Sequence, residues 1–364
     1  MTEIKNLYGL ELLRELSLAF GPTGCEDNVA EAIKSVVKPH ADEITLDKMG
    51  NLVAVLYGKN HGTDKEKRLL FSAHMDEVGF MINDICGDGT LKFSLVGGII
   101  PYALGSRRVT VGDETNRIKG TIASKAIHSL SPAERREALD ADKLYVDIGA
   151  KNDEETKSLL SVGDYGTFDS DFVLFGENDR LMKSKAIDDR LGCAVMIETL
   201  RYLDEQGIQL PYDVYFCFTT REEIGLSGAQ TAAQAIAPDV SIVLETTAVA
   251  DIAGVGETSK VAKLGEGGAI SLADRSTIYN RALVDYAMEL SRTHGFKAQI
   301  KKYISGGNDA GTIHKTAEGI KTLAISVPTR YLHSAACVAS IKDYVSVRDL
   351  CEQIIRSERI QEEI

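Results

Sequence analysis

RLLFSAHMD, residues 68–76, joins a nearly unbroken apolar run to a histidine and an aspartate. The run RLLFSA (68–73) lacks the polar alternation of a strand with one wet face. It reads as a strand buried on both faces, the kind found in parallel sheets covered by helices. Its exit delivers His74 and Asp76 to the same side, because side chains alternate along an extended backbone. In open α/β sheets, ligands gather just beyond the carboxyl ends of the strands. The stretch therefore predicts both a fold class and the edge on which chemistry sits.

Upstream, Leu12, Leu13, Leu16 and Phe20 share a helical face, as do Val29, Ile33, Val36 and Val37. NLVAVLY (51–57) follows the Gly50 turn and reads as another strand. Downstream the texture changes. Short β-like runs recur as LKFSLV (91–96), RRVTV (107–111), RIKGTIA (117–123), KLYVDIGA (143–150) and DFVLFG (171–176), separated by turn-rich pieces. Closely spaced short strands predict a small barrel or sandwich. After Ser184, helices and strands alternate again: a stripe of Cys193, Met196, Ile197, Leu200 and Leu203, then VYFCFT (214–219), SIVL (241–244), TLAISV (322–327) and a last helix through Val347, Leu350 and Ile354. The expected fold is α/β, a mixed and largely parallel sheet flanked by helices with an inserted barrel-like domain. The expected division is 1–83 and 177–364 for the α/β domain and 84–176 for the insert.

Composition narrows the function. With 44% hydrophobic and 26% charged residues, the 364-residue chain has the material for a large core, which argues against disorder. A net charge of −13 and the lack of a dense Lys/Arg cluster argue against nucleic acid as a partner. No apolar run reaches the roughly 18 residues of a membrane span. The start MTEIKNLYGLELLREL has no basic region followed by an apolar one, and the six cysteines form no CxxC pair. A cytoplasmic protein with reduced thiols is expected.

Five places in the α/β part put metal-capable residues at comparable positions: His74 with Asp76, Asp188 with Asp189, Glu222 with Glu223, Glu245, and His333. Each has a plainer reading in isolation. Asp188 or Asp189 could cap a helix, Glu222 and Glu223 suit a first helical turn, and Glu245 could pair with an arginine. Together they need five coincidences at one sheet edge. Imidazoles and carboxylates in this ratio suit a pair of divalent ions. Asp76 is placed to accept the second ring N–H of His74 and orient it. Glu222 and Glu223 diverge as neighbours, so one can bind metal while the other handles a proton.

Seven segments resemble the tetrahedral aminopeptidases, a family that includes glutamyl and deblocking enzymes. They are FGPTGCED (20–27), DKMGNLVAVLYG (47–58), SAHMDEVGFMI (72–82), KAIDDRLGCAV (185–195), TTREEIGLSGAQ (219–230), SGGNDAGTIH (305–314) and VPTRYLHSA (327–335). The resemblance runs almost end to end. It implies two zinc or cobalt ions per subunit: His74 and Glu245 on one, Glu223 and His333 on the other, and Asp188 bridging. It makes Glu222 the general base, with Asp76 beside it in the catalytic set, and places Gly306, Gly307 and Asn308 against substrate. Glu245 stands where the family usually has Asp, and Asn308 where it usually has Thr. The insert corresponds to the family's dimerisation domain. Members build dimers into a hollow dodecamer that admits short peptides.

The implied activity is removal of amino-terminal residues from short peptides through a two-metal-activated water. A dimetal deacylase or carboxypeptidase and a non-enzymatic assembly protein are the rivals. Glycoside hydrolysis by paired carboxylates about 5 Å or more apart is weaker, because it leaves both histidines unexplained. Lys260 or Lys263 would suit an acidic substrate if either lined the pocket. His128, in the insert, stays outside the catalytic set.

Overall fold

Every residue of the strand Arg68–His74 after Arg68 is buried, as a central strand requires. The structure, a computed structural model, describes residues 8–363. The chain opens with helices α1 (Tyr8–Leu18) and α2 (Asp27–Val37), then strands β1 (Glu43–Leu46), β2 (Leu52–Leu56) and β3 (Arg68–His74). A β-rich stretch follows: β4 (Gly79–Ile85), β5 (Leu91–Val96), β6 (Arg108–Gly112), β7 (Arg117–Ser124), β8 (Leu144–Asp147), α3 (Asp153–Leu159) and β9 (Tyr165–Phe168). The carboxyl-terminal part begins with β10 (Val173–Phe175), β11 (Leu181–Ser184), α4 (Ile187–Glu205), β12 (Asp213–Thr219), α5 (Ser227–Ile236) and β13 (Val240–Ala248). It continues with β14 (Gly268–Ile270), α6 (Arg281–His294), β15 (Ala298–Ile300) and α7 (Ala310–Ile313). It closes with β16 (Lys321–Arg330), β17 (Cys337–Ser340), α8 (Ile341–Arg356) and α9 (Glu358–Glu363).

The main sheet has eleven strands, nine of them in the order β1-β2-β12-β3-β13-β16-β17-β11-β10. Its centre is parallel: β3 pairs in parallel with β12 and β13, and β13 with β16. The outer strands β1, β2, β17, β11 and β10 join antiparallel. The mixed, largely parallel sheet read from the sequence is what forms. Helix α4 packs on β3 and β13. Its stripe of Cys193, Met196, Ile197, Leu200 and Leu203 is buried in the main core; of the expected helical face, Leu12, Leu13 and Leu16 join it, while Phe20 lies beyond the end of α1 at Leu18.

The second unit is a closed six-stranded barrel, β4-β5-β8-β7-β6-β9, with its own core of Val78, Phe80, Ile82, Phe93, Val109 and Val146 among others. Its strands run from Gly79 to Phe168, and residues 173–175 pair with β11 in the main sheet. The insert thus starts and ends somewhat earlier than 84–176. The reason is local: Val78, Phe80 and Ile82 turn their side chains into the barrel immediately after the 74–77 segment. Glycine permits the tight joint, since a Cβ on Gly79 would lie 2.4 Å from the Gly166 carbonyl oxygen.

A candidate two-metal centre

Parallel pairing aligns the carboxyl ends of β12, β3, β13 and β16 along one rim. Thr219 on β12 stands opposite His74 on β3, which brings the following Glu222 and Glu223 beside the histidine. Glu245 lies within β13, opposite Ser326 of β16. The loop leaving β16 carries His333 back over the rim, and the start of α4 supplies Asp188. At Asp188 (φ −82°, ψ 109°) and Asp189 (φ −118°, ψ 44°) the backbone departs from helical values. Left-handed non-glycine residues cluster beside these groups: Ala186, Arg221, Tyr331 and His333 itself, at φ 56°. Such backbone conformations persist only where surrounding structure enforces them, and they concentrate at functional sites.

The side chains form two triads that share Asp188. His74 Nε2 lies 3.4 Å from Asp188 Oδ1 and 3.5 Å from Glu245 Oε1. His333 Nε2 lies 3.4 Å from Asp188 Oδ2 and 3.5 Å from Glu223 Oε2. A third grouping joins His74, Glu222 and Glu223, and within each grouping the ligand atoms lie within 4.8 Å of one another. Each imidazole is held from behind by a backbone carbonyl: His74 Nδ1 is 3.0 Å from Asp76 O, and His333 Nδ1 is 2.9 Å from Gly98 O. Carbonyls only accept, so both Nδ1 atoms carry the proton and both Nε2 atoms face the shared space.

Asp76 stands beside His74. Its carboxylate lies 3.4 Å from His74 Nδ1, while its main-chain carbonyl makes the closer contact. The carboxylate also accepts from the Thr23 hydroxyl (2.8 Å), Glu222 N (3.0 Å) and Glu223 N (3.2 Å). It therefore fixes the backbone of the two glutamates directly.

Electrostatics set this cluster apart. Burial favours a neutral His74, yet Glu245, Asp188 and Asp76 outweigh it and hold the imidazole pKa well above the usual range. His333 is likewise driven by Asp188 and Glu223, against its burial, up to about 10. Burial raises Glu223 to about 7, aided by Asp188, and it raises Glu222 and Glu245 well above ordinary carboxyls. Burial also acts on Asp188, but His333 and His74 overcome it and drive the group well below normal. Among the described residues, no Lys or Arg nitrogen comes within 4.0 Å of Asp188, Glu222, Glu223 or Glu245. Asp188 Oδ1 is buried without a hydrogen bond. Four largely buried carboxylates with two imidazoles and no fixed cation call for positive charge. The donor set of nitrogen and carboxylate oxygen fits two divalent ions.

A cavity of about 330 Å³ opens over these residues, and its far wall is formed by Thr246, Thr247, Lys301, Gly306, Gly307 and Leu332. Gly306 and Gly307 thus line this cavity. Asn308 lies beneath the loop: its amide donates to the Tyr279 hydroxyl (3.1 Å) and its oxygen accepts from Ala310 N (2.9 Å). The short link to Tyr279 and the α7 start holds it away from the cavity wall. Lys260 and Lys263 also lie off the wall, both paired with Glu257. His128 is exposed in a barrel turn.

Three buried ionic residues escaped the sequence reading. Glu77 pairs with Lys185 and accepts a 2.7 Å bond from the Thr167 hydroxyl. Arg190 is fully buried, 3.8 Å from Glu77, and donates to the carbonyls of Leu16, Gly21 and Met75. This network clamps the 75–77 segment under the site. The available signal was two cations and an acid, Lys185, Arg190 and Glu77, beside apolar runs that folding buries.

Comparison with known proteins gives the family. The chain matches the M42 glutamyl aminopeptidases over residues 50–350. It is 36% identical over 334 residues to a putative aminopeptidase of Acetivibrio thermocellus, covering 92% of this chain and 94% of that one. It superposes on a TET aminopeptidase from a marine sediment Thaumarchaeota archaeon with a TM-score of 0.92 at 35% identity, over 98% of this chain and 99% of the other. The TET1 peptidase of Pyrococcus horikoshii, described as assembling into a tetrahedron or a large octahedral shell, gives 0.83 at 31% identity, over 95% and 99%.

Proposed function

Since the chain belongs to the M42 glutamyl aminopeptidase family, we propose that this aminopeptidase removes single residues from the amino ends of short peptides at a two-metal centre. The observation that carries the reading is the pair of triads joined through Asp188. His74 and Glu245 would hold one divalent ion, zinc or cobalt, Glu223 and His333 the other, and Asp188 both. Ions held there would polarise the scissile carbonyl and lower the pKa of a water.

The protein's own groups do the rest. Glu222, raised by burial, receives a proton from the attacking water and passes it to the departing amine. Asp76 keeps Glu222 and Glu223 in place through their main-chain N–H groups. The substrate's free ammonium group meets the carboxylates of the rim, and this favours cleavage of the first peptide bond. Gly306 and Gly307 let the substrate backbone approach closely.

The reading extends to the assembly. The barrel, with Ile100 and Tyr102 exposed at 64% and 68%, would mediate dimers, and dimers would form a tetrahedral dodecamer. The inserted barrel, Gly79–Phe168, would thus be the assembly module between the two catalytic parts of the chain. Six unpaired cysteines fit a cytoplasmic setting. Among the described residues no helix is long and apolar enough to cross a membrane.

Glu222→Gln tests the proposal. The variant should retain fold and metal content while kcat on aminoacyl-p-nitroanilides drops by about 10² to 10⁴. Turnover close to wild type would remove Glu222 from its role, and a wild-type protein that binds no divalent ion would remove the centre.

A further inference from the structure

A separate group of metal-capable side chains lies at the opposite end of the sheet. Asp213 opens β12 opposite Arg68, the first residue of β3, whereas Thr219 stands opposite His74. Six residues of strand, about 20 Å, therefore separate Asp213 from the rim. The connection between β2 and β3 folds over this end. His61 Nδ1 lies 2.7 Å from Asp213 Oδ2 and 4.0 Å from Glu66 Oε2, and the ligand atoms of the three residues lie within 4.8 Å of one another. Asp213 has no exposure, yet among the described residues no Lys or Arg nitrogen comes within 4.0 Å of its carboxylate. Its Oδ2 meets only the His61 ring, since the bond from Gly58 N (2.7 Å) goes to Oδ1. Buried charges of this kind are paired or coordinate metal. Glu66 is oriented in the same manner. Arg68 holds its Oε1 (2.7 and 2.9 Å), and Gly62 N donates to Oε2 (2.9 Å), which leaves Oε2 a lone pair for a further partner. The Tyr57 ring stacks on the imidazole, with centroids 3.7 Å apart, and fixes its plane.

We propose that His61, Glu66 and Asp213 form a separate metal site, which takes a divalent transition ion such as zinc and tacks the 57–67 connection to the start of β12. One imidazole and two carboxylates suit zinc, with water completing the tetrahedron. Ligands at about 2.0–2.2 Å and tetrahedral angles stand roughly 3.3–3.6 Å apart. The two distances from His61 bracket that spacing, and moving the exposed ring by about 0.6 Å from Asp213 toward Glu66 evens them. The Nδ1 proton, which His61 donates to Asp213, leaves as the ion enters. Hydrogen bonds from Gly58 N, Gly62 N and Arg68 already hold both carboxylates in position, the support that metal ligands ordinarily need. Distance keeps this ion out of the peptide chemistry. It braces the entries of β3 and β12, whose exits carry His74 and Glu222, so its effect falls on stability.

The test counts zinc in full-length protein that has been stripped with chelator, reloaded with zinc and desalted. With the rim filled as well, the wild type should carry about three ions per subunit. His61→Gln and Glu66→Gln, both changes to side chains open to solvent, should each lose about one ion. Their kcat/KM on an aminoacyl-p-nitroanilide should stay within about twofold of wild type. A His74→Ala/His333→Ala double variant, with the rim disabled, should keep about one ion. Zinc should raise the Tm of that variant, and adding His61→Gln should abolish the rise. The site is overturned if His61→Gln keeps the ion content of the wild type. It is equally overturned if the folded rim variant holds no ion or gains no stability from zinc. An ion that survives in the rim variant and disappears with His61→Gln supports the site whatever the wild-type total. A wild type holding that ion alone would remove the two-metal centre and leave this site standing.

Discussion

Replacing Asp76 with Asn changes one atom type in a side chain with no exposure and should cripple a site it does not itself face. The carboxylate accepts three hydrogen bonds, from the Thr23 hydroxyl, Glu222 N and Glu223 N. Asn offers one oxygen. If that oxygen stays on Glu222 N, the amide NH₂ can donate to a rotated Thr23 hydroxyl, but it then opposes the Glu223 N–H donor. The flipped amide opposes Glu222 N and the His74 Nδ1–H. Either way a buried backbone donor is orphaned, at about 1–3 kcal/mol. The surviving bonds lose their charge assistance, adding about 1 kcal/mol. The total of about 2–4 kcal/mol divides between fold and site. Since about 1.4 kcal/mol is a factor of ten in rate, kcat/KM should fall by roughly 10- to 100-fold, with metal binding weakened on a similar scale. The assay is steady-state hydrolysis of an aminoacyl-p-nitroanilide at saturating metal, beside chelator competition and thermal melts. An Asp76→Asn enzyme within twofold of wild type in both rate and metal affinity would refute the reasoning.

Divalent-ion loading should expel protons. The metal-free imidazoles are held charged, His333 up to about 10 and His74 well above its normal range, and metals bind only the neutral rings. At pH 7 at least two protons should leave, one per imidazole, with the raised Glu245 and Glu223 carboxyls adding to the count, and affinity should climb as pH rises and fall in acid; calorimetry in buffers of different ionisation heat would count them, and zero release would sink the claim. Arg190→Met should remove the donor to three buried carbonyls, Leu16, Gly21 and Met75, and the second of the two cations beside Glu77. A loss of about 3–5 kcal/mol is expected by urea denaturation, and a change below about 1 kcal/mol would show the clamp to be incidental.

The sheet was readable because buried parallel strands leave a plain signature. RLLFSA and VYFCFT are almost unbroken apolar runs, and their exits carry the His and Glu residues that meet at the rim. What joins them was also visible, since parallel strands put all their carboxyl ends on one side. Other features depend on distance in space that sequence does not encode. Glu77 is over a hundred residues from Lys185 and Arg190, and all three look like surface charges until folding buries them together. Lys301 was passed over for Lys260 and Lys263 because nothing local tells a cavity lysine from a solvated one. The barrel boundary slipped because DEVGFMI reads equally well as the tail of one unit or the first strand of the next.

The Gly98 carbonyl that steadies His333 belongs to the barrel, at the loop after β5. A Cβ on Gly98 would come within 3.2 Å of that imidazole, so the fit leaves little slack. The insert is therefore no detachable accessory. An engineer who trims it away, or grafts in a substitute with a taller loop, unseats a histidine some 235 positions farther along the polypeptide. Changes in this module and in the hydrolytic rim must be made as matched pairs.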